Sequence, residues 1–362
     1  MVPSAPETSR LGRRSFLKRL GLGGTALLPA SGWVMSQTTR AKADDFASGL
    51  TSGDVAILRF LAAAEILETD LWQQYTELAL GNASFQQALQ VLDGDMPTYV
   101  NQNTRDEFSH QNFLNAYLMS KGARPVSLEP FRRLPSSQAT GANKTAKRLT
   151  NLMNLTVDTS WYTRYRSTGN PDFGDTFPQI VNLVNLPAIP NSNLPAGSDA
   201  IQLIANTAGF HFATIEQGGS SLYDSFLHKA TSLEVLRIVA AIGGTELIHF
   251  EVWQDKAGNA PPVPLATGAL FPQLPQAPDQ TPDGVDSADP IDTNQIMPRP
   301  CEFISSSLPP CSVIRPTSAL KAGAVAAATG LTKSGLFMGQ REDFFEFLFE
   351  LAAKADAAQR GS

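Results

Sequence analysis

The stretch RDEFSHQNFLNAYL at residues 105–118 places Glu107 three positions before His110, and GGTELIHFEVW at residues 243–253 repeats the arrangement with Glu246 and His249. Both stretches sit inside apolar patterns of helical period. Residues three apart on an α-helix are neighbours on one face, so each Glu and its His can close on the same metal ion. The chain contains only four histidines, and two of them follow a Glu at this spacing. Each motif supplies half of a site.

Partners for the two motifs stand on the preceding helical patterns. Glu65 lies in DVAILRFLAAAEILETDLWQQY (54–75), with Leu58 and Leu61 seven and four positions before it and Trp72 seven after, so an ionisable group occupies the centre of an apolar stripe. Glu216 lies in LIANTAGFHFATIEQGGSSLYDSF (203–226), again with an aromatic, Tyr223, seven positions on. The order is a Glu helix, a Glu-x-x-His helix, and the same again. It predicts an all-α fold in which two helical hairpins face each other as a four-helix bundle. A di-metal carboxylate bundle takes one Glu from each of two helices and one Glu-x-x-His from each of the other two. The candidate metal ligands are therefore Glu65, Glu107, His110, Glu216, Glu246 and His249. A buried carboxylate costs several kcal/mol unless it is paired or metal-bound, and four near one axis call for cations. Glu68 shares the inner face of Glu65 and competes with it; Glu65 is preferred because its step to an aromatic repeats at Glu216. Glu68, as a second carboxylate or base, and Tyr223 are the candidate catalytic residues. Carboxylates and imidazoles without thiolates suit iron or manganese.

The segments AEILETDLW (64–72), RDEFSHQNFLNAYL, IEQGGSSLY (215–223) and GGTELIHFEVW resemble the ferritin-like superfamily, in particular exported ferritin-like domain proteins related to desiccation-related proteins. The resemblance covers residues 50–120 and 200–257. It implies a ferritin-like four-helix bundle with a long crossover insert, two Fe or Mn ions, and redox chemistry on a small oxidant (peroxide or oxygen) or on ferrous iron in stress protection. The ligand set looks like that of rubrerythrins, bacterioferritins and manganese catalases rather than storage ferritins. A competing expectation is a non-catalytic stress or structural protein in which metals staple the bundle or play no role. A third, oxygenation of an organic substrate, requires a larger pocket.

Outside the bundle, residues 1–43 carry RRSFLKRL (13–20), a weakly apolar GLGGTALLPASGWVM (21–35) and the small-residue sequence Ala41, Lys42, Ala43. This succession resembles a twin-arginine export signal and predicts a periplasmic or extracellular mature protein. Residues 50–257 form the expected bundle, with helices over 54–80, 96–121, 199–228 and 232–256, Ser52 as the first N-cap, and an insert at 122–198. The insert holds one helical pattern at 145–166, whose Trp161, Tyr162 and Tyr165 pack or line an entrance. Residues 258–317 read as a Pro-rich arm in which Cys301 and Cys311 could pair. Residues 318–362 form a C-terminal helical extension, Phe-rich enough to pack on the bundle or on a second subunit as a homodimer.

His211, five residues before Glu216, and His228, near a helix end, read as surface or capping residues. Glycine pairs flank two of the glutamates, Gly218 and Gly219 after Glu216 and Gly243 and Gly244 before Glu246. They provide either close helix contact or a gap for a small molecule. The net charge of −6 and pI near 5.3 argue against a nucleic-acid partner. No apolar run beyond the signal reaches the ~18 residues of a membrane span.

Overall fold

The computed structural model describes residues 50–165, 177–264, 271–272, 274, 300–314 and 323–361. The expected signal at 1–43 and most of the arm at 258–317 lie outside the described residues. The described chain is predominantly helical, as the sequence pattern predicts, with two short two-stranded ladders. None of its helices is long and apolar enough to cross a membrane.

Four long helices dominate: α1 (Ser52–Gly81), α3 (Met96–Ser120), α5 (Asp199–Leu227) and α6 (Leu233–Ala257), with α2 (Ala83–Leu92) between the first two. Helix α1 begins one residue earlier than Ser52 as N-cap would place it. Thr51 caps it, because Thr51 Oγ1 accepts from Asp54 N (3.1 Å) while Asp54 Oδ2 accepts from Thr51 N (3.4 Å), a reciprocal capping box. Asp54 also accepts from the backbone N–H of Thr231 (2.8 Å) and Ser232 (3.0 Å), fastening the start of α6 to the start of α1. Asn82 ends α1 and caps α2 by accepting from Phe85 N. Pro97 occupies the first turn of α3, where its missing N–H is no loss, and Gly122, at φ +73°, follows its end.

Helix α1 packs along α3 and α5 along α6, while α3 meets α6 and α2 lies on α5. Across the wider α1–α5 gap the contact is aromatic, with Trp72 on Phe212 (4.9 Å between ring centroids) and Phe60 on Phe226 (6.3 Å). Helix α7 (Ala324–Lys333) touches α5, and α8 (Glu342–Asp356) lies on α1 and α7. Phe344, Leu348 and Leu351 of α8 are buried, so its apolar stripe is spent on the same chain.

The insert departs from its expected helix over 145–166. Over the described part of that stretch it forms β1 (Leu155–Val157), paired antiparallel with β2 (Leu183–Leu186), and one short α-helix, α4 (Ser160–Arg164). The cause is Asp70 on α1. Its fully buried Oδ2 accepts from the backbone N–H of Leu149 and Thr150 (2.9 Å each) and from Thr150 Oγ1 (2.7 Å), which takes those amides out of any helix there. Trp161, Tyr162 and Tyr165 are buried and pack, Trp161 on Phe210 and Tyr165 on Phe250 (5.2 Å each). Cys301 and Cys311 face each other across β3 (Pro300–Cys301) and β4 (Cys311–Ser312) as free thiols.

Candidate metal centre

The inner faces of α1, α3, α5 and α6 bring together all six side chains that the sequence nominates as ligands. Two buried groups could each hold a metal ion: Glu65, Glu107, His110 and Glu246, and Glu107, Glu216, Glu246 and His249, with ligand atoms within 4.8 Å of one another in each group. Glu107 and Glu246 belong to both. The sharing is explicit at Glu107, whose Oε2 lies 3.2 Å from His110 Nδ1 while Oε1 lies 3.1 Å from His249 Nδ1. His110 Nδ1 is also 3.4 Å from Glu65 Oε2 and 3.3 Å from Glu246 Oε1, and His249 Nδ1 is 3.2 Å from Glu216 Oε2. Neighbouring ligand atoms around one ion, each about 2.1 Å from it, stand roughly 3.0–3.4 Å apart, so these separations fit coordination. Among the described residues Glu65 Oε2 and both Glu246 oxygens are buried without a hydrogen-bond partner. Buried carboxylate oxygens left so are costly, and cations would satisfy them.

The electrostatics of the metal-free chain carry the same signature. Burial and then the Glu216 charge push Glu107 up to about 7. Burial, followed by Glu107 and Glu216, raises Glu246 well above the carboxylate range. Burial alone would lower both imidazoles; hydrogen bonds and charge from the carboxylates outweigh it and hold His110 and His249 well above 6.5. The cluster has more acidic groups than its two imidazoles can neutralise, and protons take the place that cations would fill.

Of the two competing carboxylates, Glu65 falls in the first cluster and Glu68 in neither. Tyr223 OH donates to Glu65 Oε1, and burial, then the Glu65 charge, raises its phenol pKa well above the usual value. Glu68 lies beside the cluster, raised by burial and then by the charge on Glu246. Two residues that sequence reasoning left unassigned position the ligands. Asn103, one turn before Glu107, donates through Nδ2 to Glu107 Oε1 (2.7 Å) and Glu216 Oε1 (2.9 Å), its own orientation set by Trp253 Nε1 donating to Oδ1 (2.7 Å). Asp106 Oδ2 sits 3.1 Å from His249 Nε2, and that hydrogen bond lowers its pKa. Asn103 was visible as part of the inner stripe of α3. Asp106 carried no signal, being one acid among many and about half exposed.

His211 is not a surface residue. It is 2 % exposed, its Nδ1 lies 2.8 Å from Tyr75 OH, and burial lowers its pKa to about 3, so the ring is neutral. His228 is the exposed C-cap of α5.

The glycines beside the ligands make room for side chains. A Cβ on Gly243 would meet Tyr223 Cβ at 2.8 Å, and one on Gly219 would meet Glu246 Oε2 at 2.6 Å. The atom met by Gly219 is the free end of a flexible side chain, so the fold can absorb the clash by moving the carboxylate. Gly219→Ala is thus expected to raise the melting temperature of the chelated protein, through a helix propensity gain of up to about 1 kcal/mol. The same substitution should weaken Mn(II) or Co(II) binding by about 10–100-fold, read by calorimetric titration. Asp106→Asn, which leaves every proposed ligand in place, should weaken metal binding within the same range of about 10–100-fold with little change in the melting temperature of the metal-free chain.

No protein-family model, no curated protein and no solved structure matches this chain significantly.

Proposed function

We propose that this chain is an exported ferritin-like protein whose four-helix bundle holds two Fe or Mn ions and uses them in redox chemistry on peroxide, oxygen or ferrous iron. The observation that carries the reading is the pair of buried ligand groups sharing Glu107 and Glu246, with Glu65 and His110 on one side and Glu216 and His249 on the other. Two such ions, changing oxidation state together, would supply the electron pair that reduces or disproportionates an O–O bond. The chain's own residues set the conditions. Asn103 and Asp106 orient the ligands, and Tyr223 holds Glu65. Trp72 stacked on Trp253 (5.5 Å) and Phe212 against both exclude water from one end. Glu68, whose carboxyl is pushed well above the usual carboxylate range by burial and then by the charge on Glu246, is the proton-bearing group beside the cluster that would serve as general acid.

Export by the twin-arginine route, read from Arg13, Arg14 and the residues after them, suits a protein that acquires metal before leaving the cytoplasm. The test is the metal content of the purified mature protein followed by its peroxide consumption. About two Fe or Mn per chain with turnover supports the proposal. Metal without turnover reduces the site to a structural staple, and no metal after reconstitution overturns the reading.

A further inference from the structure

Beyond the α1–α5 wall, on the side away from α3 and α6, lies a cavity of about 480 Å³, open to solvent on one side and lined by α1, α5, the β1–β2 ladder, α7 and α8. Protein interiors leave few voids larger than a water molecule, and this volume falls within the roughly 300–1,000 Å³ of small-molecule sites. Its walls are largely hydrocarbon, with Phe60, Leu67 and Leu71 from α1, Ile215 and Leu222 from α5, and Leu331 from α7. Two lining residues also border the metal centre: Glu68, and Gly219, which abuts Glu246 Oε2.

Two observations suit a bound molecule in this space. Gly218 and Gly330 are interior to helices and line the cavity, yet a Cβ on either would meet no heavy atom within 4 Å. No close approach requires glycine at these positions, and each costs its helix about 1 kcal/mol relative to alanine. At Gly218, half-buried where Gly330 is exposed, a side chain would take up part of the cavity. The second observation is His211, which lines the cavity at 2 % exposure. Its Nδ1 pairs with Tyr75 OH at 2.8 Å, which leaves Nε2 as the ring's other polar atom for a ligand.

We propose that the cavity binds a neutral, largely hydrocarbon molecule whose hydroxyl or carbonyl group hydrogen-bonds His211 and whose adjoining carbons lie against the Glu68–Gly219 wall of the metal centre. An anionic inner end would face Glu65, Glu68, Glu107, Glu216 and Glu246 across that wall, and the charged residues of the lining, Asp158 and Lys333, are exposed, so a charged inner end would find no partner among the buried leucines. As a substrate class for the di-metal site, the assignment rests on the function proposed above; as a binding site, it does not.

The probe is N-phenyl-1-naphthylamine, a neutral dye that fluoresces in apolar surroundings, titrated into the full mature chain with and without metal. The metal-free protein should bind it saturably, and 1-dodecanol should displace it at least about tenfold more effectively than dodecanoate or dodecylammonium. Gly218→Leu, which fills part of the cavity, should weaken probe binding about tenfold or more while metal content and melting temperature are maintained. In protein loaded with Mn(II), but not with Zn(II), the proton resonances of bound dodecanol should broaden. Absence of saturable binding, or full probe affinity in the leucine variant, overturns the proposal. Sharp dodecanol resonances with Mn(II) bound overturn its placement against the metal centre. If the chain takes up no metal but still binds the probe in a Gly218-sensitive manner, the di-metal reading fails and the cavity site stands.

Discussion

Glu107→Gln is expected to empty both metal positions at once, whereas Glu65→Gln should leave one ion bound per chain. The difference follows from position alone. Glu107 Oε2 serves the group around His110 and its Oε1 the group around His249, while Glu65 belongs only to the first. Glutamine keeps the shape of the side chain and still offers an oxygen to Asn103, so the packing of α3 is preserved and the missing charge is what the measurement reads. Loss of a shared anionic ligand should weaken uptake at each position by more than about 100-fold, beyond the effect of disturbing an outer hydrogen bond. Elemental analysis after dialysis against a weak chelator would register near zero metal for Glu107→Gln. Retention of two ions by that variant would mean that the two groups are not a shared site.

The second large effect is a dependence on pH that runs opposite to ordinary acid denaturation. In the metal-free chain Glu107 is raised to about 7 and Glu246 is raised well above its unfolded value, and both imidazoles are also raised. A group whose folded pKa exceeds its unfolded pKa adds stability that is complete below the unfolded value and disappears as pH climbs through the folded one. For Glu107 the window runs from about 4.5 to about 7, and the other three groups extend the loss to higher pH. Over that window the melting temperature of chelated protein should fall on the order of 5–10 °C. Cations replace these protons, so metal-bound protein should lack the decline, and calorimetry in buffers of different ionisation enthalpy should show proton release on metal uptake. Metal-free protein that becomes steadily more stable from pH 5 to 8 would contradict the buried-carboxylate geometry.

Much of this architecture was legible in the sequence because the six side chains announce themselves by spacing. Ionisable residues at helical period in apolar stripes are costly to bury and so point to a shared interior site, and the two Glu-x-x-His pairs fixed which faces of α3 and α6 turn inward. The helix boundaries read from the sequence agree with the structure to within a residue or two. What stayed hidden depended on contacts distant in sequence. The stretch 145–166 has the composition of a helix, but a carboxylate some 80 positions earlier, Asp70, captures its backbone amides. His211 lies off the face of Glu216 and so looked like surface, yet α1 supplies Tyr75 and a cover for that face too. The cavity could not be foreseen at all, since its walls come from five elements separated by up to nearly three hundred residues.

The four long helices present two unlike sides. Between α3 and α6 the imidazoles lie near the surface, with Asp106, 51 % exposed, touching His249. Between α1 and α5 the boundary is glycine and hydrocarbon. On the proposed function, ions and protons would reach the centre from the Asp106 side, and a guest in the cavity would lie on the other. Loading the centre should proceed at the same speed whether or not the dry chamber is full, and a guest should neither help nor hinder an ion on its way in.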